Sequence, residues 1–173
     1  MKKKAAAAPY SIEDLDNWDK RTRGIEPPIR LGIVGDPVEH SLSPTIQNAA
    51  LRDCGISMQY ALFHIRSADL EQSIERFAQT EFVGLNVTLP HKERVAEFLD
   101  ALDPDAKQIG AVNTIVFQDG RKIGFNTDGI GFSRAVREAF SVDLRDLRVL
   151  LLGAGGAGHA IAFECARENC QRV

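Results

Sequence analysis

Cysteine is scarce and its pattern is wrong for a disulfide framework: Cys54, Cys165 and Cys170 are an odd number with no C-x-x-C spacing, so they read as reduced thiols of a cytosolic protein. Histidine offers no ligand pair either. His40, His64, His91 and His159 are scattered along the chain, and no structural metal is expected. An excess of one charge is also missing. Lys and Arg number 21 against 24 Asp and Glu, a net charge of −3, which leaves no electrostatic footprint for nucleic acid or an anionic membrane. Small neutral or anionic ligands fit better. No apolar run approaches the roughly 20 residues that span a bilayer. The start, Met1 to Lys4 followed by Ala5 to Ala8, imitates the basic region of a signal peptide but lacks the apolar stretch that should follow. Glu13, Asp14, Asp16 and Asp19 argue against an organelle transit peptide, so the expected compartment is the cytoplasm. There the glycosylation-like Asn86-Val-Thr88 has no meaning as an acceptor.

What is present is ordinary globular material: 44% hydrophobic and 26% charged residues, with 14 Gly and 7 Pro in 173 residues. Disorder, collagen and low complexity are excluded, and the length predicts one domain or one and a fraction. Residues 1–28 read as a polar N-terminal extension. In it Ser11-Ile-Glu-Asp14 resembles a capping box opening a short helix through Trp18, and Pro27-Pro28 closes the segment. Strands are predicted at Ile29 to Val34, Tyr60 to Ile65 and Phe82 to Thr88. Helices are predicted at Pro44 to Cys54, Ala68 to Ala78 and Pro90 to Leu99. Ala111 to Phe117 and Lys122 to Phe125 flank Asp119-Gly120, a strong hairpin signal that predicts one antiparallel pair. A helix follows from Asp128 to about Phe140, then an apolar strand from Arg148 to Leu152, a glycine-rich turn, and a helix to about Asn169. This alternation is α/β.

The turn is Gly153-Ala154-Gly155-Gly156-Ala157-Gly158. With a strand before it and a helix after it, the pattern has the context a dinucleotide fingerprint needs. Gly153 permits the tight turn, Gly155 lets the backbone approach a pyrophosphate, and Gly158 allows close packing, while free N–H groups at the helix start face the anion. A lone strand and helix cannot bury both faces of a parallel strand. The expectation is therefore the front part of a longer protein, with negligible turnover from residues 1–173 alone.

Other polar residues invite two readings each. In His40-Ser-Leu-Ser-Pro44, Ser43 is either the helix N-cap ahead of Pro44, or both Ser41 and Ser43 hold a carboxylate at the helix start. Asn86-Val-Thr-Leu-Pro-His-Lys92 leads from an apolar strand into the predicted helix. A cation in the first turn of that helix would oppose its dipole, so Lys92 is either a solvated surface lysine or a proton donor and acceptor. Asp128 is either an N-cap or the carboxylate that orients Lys92. Asn113 is either a turn residue or a partner for substrate hydroxyls.

Taken together, Ser41-Leu-Ser-Pro44, Asn86-Val-Thr-Leu-Pro-His-Lys92, Gly110-Ala-Val-Asn-Thr114, Asn126-Thr-Asp128 and the glycine turn, in this order and spacing, resemble the shikimate dehydrogenase family from about Ile29 to the last residue. The resemblance implies a substrate-binding α/β domain with a mostly parallel sheet and one hairpin over residues 29–128. It implies that residues 129–173 form a linker helix and the incomplete start of a Rossmann dinucleotide-binding domain. It also implies NADP-dependent, reversible reduction of 3-dehydroshikimate to shikimate, on the route to chorismate and the aromatic amino acids, by a monomer or homodimer. By the same resemblance Lys92 and Asp128 are the catalytic pair. Ser41 and Ser43 hold the substrate carboxylate, and Thr88, Asn113 and Asp128 contact ring hydroxyls, with Asn86 in support. Gly153 to Gly158 bind NADP. Two alternatives stand beside it: a non-catalytic module that binds shikimate-like acids, and a quinate/shikimate dehydrogenase using NAD.

Overall fold

The computed structural model describes residues 8–173, so the basic start and most of the alanine run lie outside the described residues. Strands β1 (Ile29–Gly35), β2 (Gln59–His64), β3 (Gly84–Val87), β4 (Ala101–Leu102), β5 (Thr114–Gln118) and β6 (Arg121–Phe125) form one sheet in the order β2-β1-β3-β5-β6-β4. β1 runs parallel to β2 and β3, and β4 runs parallel to β6. The Asp119-Gly120 hairpin joins β5 to β6 as expected, both residues taking positive φ. β5 also pairs antiparallel with β3, so the hairpin brings a second antiparallel ladder that its own sequence did not predict.

The helices are α1 (Ile12–Leu15), α2 (Trp18–Arg21), α3 (Ser43–Asp53), α4 (Leu70–Ala78), α5 (Pro104–Ile109), α6 (Asp128–Phe140) and α7 (Gly156–Arg167). α4 shows why such segments fold where they do. Leu70, Ser73, Ile74 and Phe77 are its buried residues, at the spacing of one helical face. α5 has a stop and a start written in sequence: the Asp103 carboxylate accepts from Asp105 N–H at 3.0 Å, Pro104 occupies the first turn, and Gly110 ends the helix in the left-handed region. Val34 of β1 joins Phe63, Leu85, Val87 and Ile115 in the larger core layer. Its neighbour Ile33 joins Tyr60, Leu62 and Leu51 of α3 in the other. The alternation of a strand thus feeds both faces of the sheet.

Several expectations change. The N-terminal segment is no appendage. The capping box is present, with the Ser11 N–H donating to Asp14 at 2.9 Å, but Ile12, Leu15 and Trp18 are buried in the main core. Trp18 packs its ring 5.1 to 5.6 Å from Tyr10, Phe63 and Phe82. The predicted helix from Pro90 to Leu99 is instead a turn followed by a short 3-10 stretch, Arg94–Phe98. The Lys92 carbonyl accepts from Val112 N–H at 2.7 Å, which takes it out of any helical ladder. Arg148 to Leu152 does not form a strand: Arg148 makes one isolated bridge with Arg172, and Leu150 and Leu152 are 83% and 92% exposed. Among the described residues no sheet strand pairs with this run beyond that bridge, and an apolar strand gains little by extending alone.

β2 is one of the two outer strands of the sheet, and its free edge is covered locally. Tyr10 N–H donates to the Leu62 carbonyl at 2.9 Å, and the Tyr10 carbonyl accepts from His64 N–H at 2.8 Å. The Asn48 side chain takes both main-chain groups of Tyr60, each at 2.8 Å. Unpaired edge groups invite pairing with another chain, and here a carboxamide occupies two of them.

Candidate functional site

Lys92 and Asp128, 36 residues apart, meet: the ammonium donates to Asp128 Oδ2 at 2.6 Å, with side chains 19% and 25% exposed. Neither plainer reading of Asp128 or Ser43 holds. Thr127 is the N-cap of α6 and Asp128 the first helical residue, while Leu42 is the N-cap of α3 and Ser43 its first residue. The Asp128 N–H is held by Asn126 Oδ1 at 3.0 Å, and its other carboxylate oxygen accepts from Asn113 Nδ2 at 2.8 Å. Because the Pro90 to Leu99 helix does not form, Lys92 opposes no dipole of its own segment. It projects from a turn whose main chain is tied to the Ala111–Asn113 segment.

Asn113 is buried at 8% exposure and uses its whole carboxamide. The NH₂ group donates to Asp128 and to Thr127 Oγ1 at 2.9 Å. The oxygen accepts from Thr114 Oγ1 at 2.9 Å and Thr127 N–H at 3.0 Å. The row continues outward. Asn86 Nδ2 donates to Thr114 Oγ1 at 3.2 Å, and Asn86 Oδ1 accepts from the Tyr60 hydroxyl at 2.7 Å. The Ser43 hydroxyl lies beside that phenol, and the Ser41 hydroxyl donates to Ser43 Oγ at 3.0 Å. Ser41 Oγ also accepts the Ser43 N–H at 3.2 Å. Burial pushes the Tyr60 phenol well above its ordinary range, so it remains a donor. One hydrogen-bonded row therefore runs from the Tyr60 phenol, near the serine pair at the start of α3, to the lysine–carboxylate pair at the start of α6. Open α/β sheets offer ligands their groups at this kind of place, where strands give way to helices.

Tyr60, Thr114, Thr127 and Asn126 are members that the sequence reading assigned no role. Tyr60 carries no local signal, being one apolar strand residue among several. Only the pairing of β1 with both β2 and β3 brings it to Asn86.

The glycine turn faces Lys92 across a cleft of about 440 Å³, lined by Thr88, Pro90, Lys92 and Glu93 on one side and by Gly153 and Gly155 to Gly158 on the other. Gly153 has φ +117°, a conformation that favours glycine. A Cβ at Gly158 would sit 2.5 Å from the Gly153 carbonyl oxygen, so the turn closes on itself. A Cβ at Gly155 would meet nothing within 4 Å, which leaves that backbone open to a ligand. The residues present thus suit a pyrophosphate at the start of α7.

A mixed sheet whose flanking loops and helix starts carry a hydroxyl pair and a lysine–carboxylate pair, opposite a glycine turn, defines an α/β ligand-binding domain that leads into a glycine turn and helix of the dinucleotide-binding kind. Residues 33–115 match the model of the shikimate dehydrogenase substrate binding domain. The chain carries the N-terminal domain of the shikimate dehydrogenase family. It is 48% identical over 143 residues to the shikimate dehydrogenase (NADP(+)) of Methanopyrus kandleri, covering 83% of this chain and 49% of that protein. It is 46% identical over 142 residues to the Bacillus cereus counterpart, covering 82% and 51%. The Thermus thermophilus shikimate 5-dehydrogenase, solved in complex with NADP(H) and shikimate, superimposes with a TM-score of 0.77 at 38% identity, over 83% of this chain and 54% of that one. The chain spans about half the length of the curated relatives it matches.

Proposed function

We propose that this chain supplies the substrate site and the acid/base pair of an NADP-dependent shikimate dehydrogenase, which interconverts 3-dehydroshikimate and shikimate. The observation that carries the reading is the 2.6 Å Lys92–Asp128 contact, continued by hydrogen bonds through Asn113, Thr114 and Asn86 to the Tyr60 phenol. In this reading residues 29–128 form the substrate domain and residues 129–173 begin the dinucleotide domain, while the N-terminal extension, residues 1–28, packs Ile12, Leu15 and Trp18 into the substrate domain's core. The free cysteines Cys54, Cys165 and Cys170 suit a reducing, cytoplasmic setting.

Ser41 and Ser43, with the first N–H groups of α3, hold the substrate carboxylate. Thr88, Asn113 and Asp128 face the ring hydroxyls, and Asn86 supports them. Gly153, Ala154, Gly155, Gly156, Ala157 and Gly158 seat the pyrophosphate of NADP. The bound nicotinamide supplies hydride chemistry at the ring carbonyl carbon. Lys92 stands beside the carbonyl oxygen, where its ammonium stabilises the developing negative charge and gives up a proton to that oxygen. Asp128 keeps the ammonium aimed, and Asn113 keeps Asp128 aimed.

Calorimetric titration of shikimate into the chain tests the reading. Saturable binding is expected in the wild type, and loss of most of that binding in a Ser41→Ala/Ser43→Ala variant that melts cooperatively. A wild-type chain that takes up no shikimate, or a double variant that binds it equally well, overturns the assignment.

A further inference from the structure

The glycine fingerprint needs Gly153, Gly155 and Gly158 and leaves Gly156 without a task. Its surroundings give it one. A Cβ at Gly156 would lie 3.2 Å from Lys92 Cβ, 3.3 Å from Ala111 Cβ and 3.6 Å from Lys92 Cδ. The first residue of α7 therefore sits directly on the aliphatic stem of Lys92, with Ala111 at its side.

Neither neighbour can give way cheaply. Both contacts are made by Cβ atoms, which move only with the main chain. The Lys92 carbonyl is bound to the N–H of Val112, next to Ala111, at 2.7 Å, and the Ala111 carbonyl accepts from Asn126 Nδ2 at 2.9 Å. Ala111 is fully buried, in a cluster with Ile109 and Ala160 of α7. A side chain at position 156 would have to lift α7 off this floor or turn the lysine stem aside. Either movement acts on an ammonium whose partner, Asp128, is fixed by Asn113 and by Asn126.

We propose that Gly156 is a positioning residue for Lys92: the seating of the glycine turn on the lysine stem holds the ammonium on Asp128. The inference rests on the acid/base role given to Lys92 above, and it links the two walls of the cleft through a packing contact.

Acetylation of Lys92 by acetic anhydride, measured by mass spectrometry against exposed Lys107 in the same chain, reads the position of the ammonium without requiring turnover. Gly156→Ala should raise the Lys92 rate about fivefold, the factor that corresponds to about 1 kcal/mol of lost pairing, with Lys107 unchanged. Adding Ala111→Gly to that variant should bring the rate back towards the wild type, since it removes the competing methyl. Should Gly156→Ala fail to melt cooperatively, Ala111→Ser enlarges the other side chain on which Gly156 is seated and should raise labelling in the same way. Wild-type labelling of Lys92 in a folded Gly156→Ala variant, or in folded Ala111→Ser where the first does not fold, overturns the inference. The shikimate titration separates the two claims. A wild-type chain that does not bind shikimate removes the functional reading and this inference with it, whereas unchanged labelling in a chain that binds removes this inference alone.

Discussion

In the proposed reaction Lys92 acts in the transition state more than in binding. Its replacement by alanine should abolish most NADP-dependent shikimate oxidation by the whole protein while shikimate affinity, read by calorimetry, stays within a few-fold. An unchanged kcat would contradict the role. His91, the residue before it, is 1% exposed, with Nε2 2.6 Å from the Ile65 carbonyl. Burial holds its pKa below the ordinary value of 6.5, against the opposing pull of that carbonyl. Between the lowered folded value and 6.5 the unfolded chain binds more protons, so stability rises with pH through that window and falls as pH drops below about 6.5. Thermal midpoints should show this fall, and His91→Phe should flatten it. At this scale the motifs that nominate the candidate site were largely legible. Ser41, Ser43, Lys92, Asn113 and Asp128 stand in short motifs whose residue types do not suit a plain core. The capping readings of Ser43 and Asp128 were each one residue off, because an N-cap and a first helical residue favour overlapping side chains. Tyr60 was invisible because its partner Asn86 is 26 residues away.

Elements with strong periodicity or paired turn signals, such as α4 and the β5–β6 hairpin, follow directly from local sequence. Two that failed did so for physical reasons. The stretch after Pro90 has helical residue types, but tertiary hydrogen bonding from Val112 to the Lys92 carbonyl wins over propensity. Arg148 to Leu152 has strand composition, but among the described residues no sheet strand pairs with it. Covering the β2 edge was not legible at all, since a single Asn in α3 gives no hint that it will bind Tyr60 in the next strand. Asn48→Ala removes both of those bonds, and at about 0.5–1.5 kcal/mol for each it should cost roughly 1–3 kcal/mol. Urea denaturation should show a lower midpoint with an unchanged m-value, and light scattering should show a greater tendency of the variant to self-associate.

Across the whole molecule, the segment before β1 serves as a wall of the main core. Its apolar residues Ile12, Leu15 and Trp18 keep a helical three-residue step across the break between α1 and α2, but the acidic residues between them disguise the stripe. Trp18→Ala should cost about 3–5 kcal/mol, a large part of the about 5–15 kcal/mol that holds a typical domain together. Thermal unfolding of that variant is expected well below the wild type, and a change of less than about 1 kcal/mol would show that the segment is dispensable. The row of side chains from Tyr60 to Lys92 has a further consequence. Each of these groups is already held by its neighbours before any ligand arrives, on strands and helix ends of a single sheet. Arriving molecules therefore meet a preorganised surface, and little rotamer freedom is left to be lost on association. Recognition by this half should accordingly carry a small conformational entropy penalty.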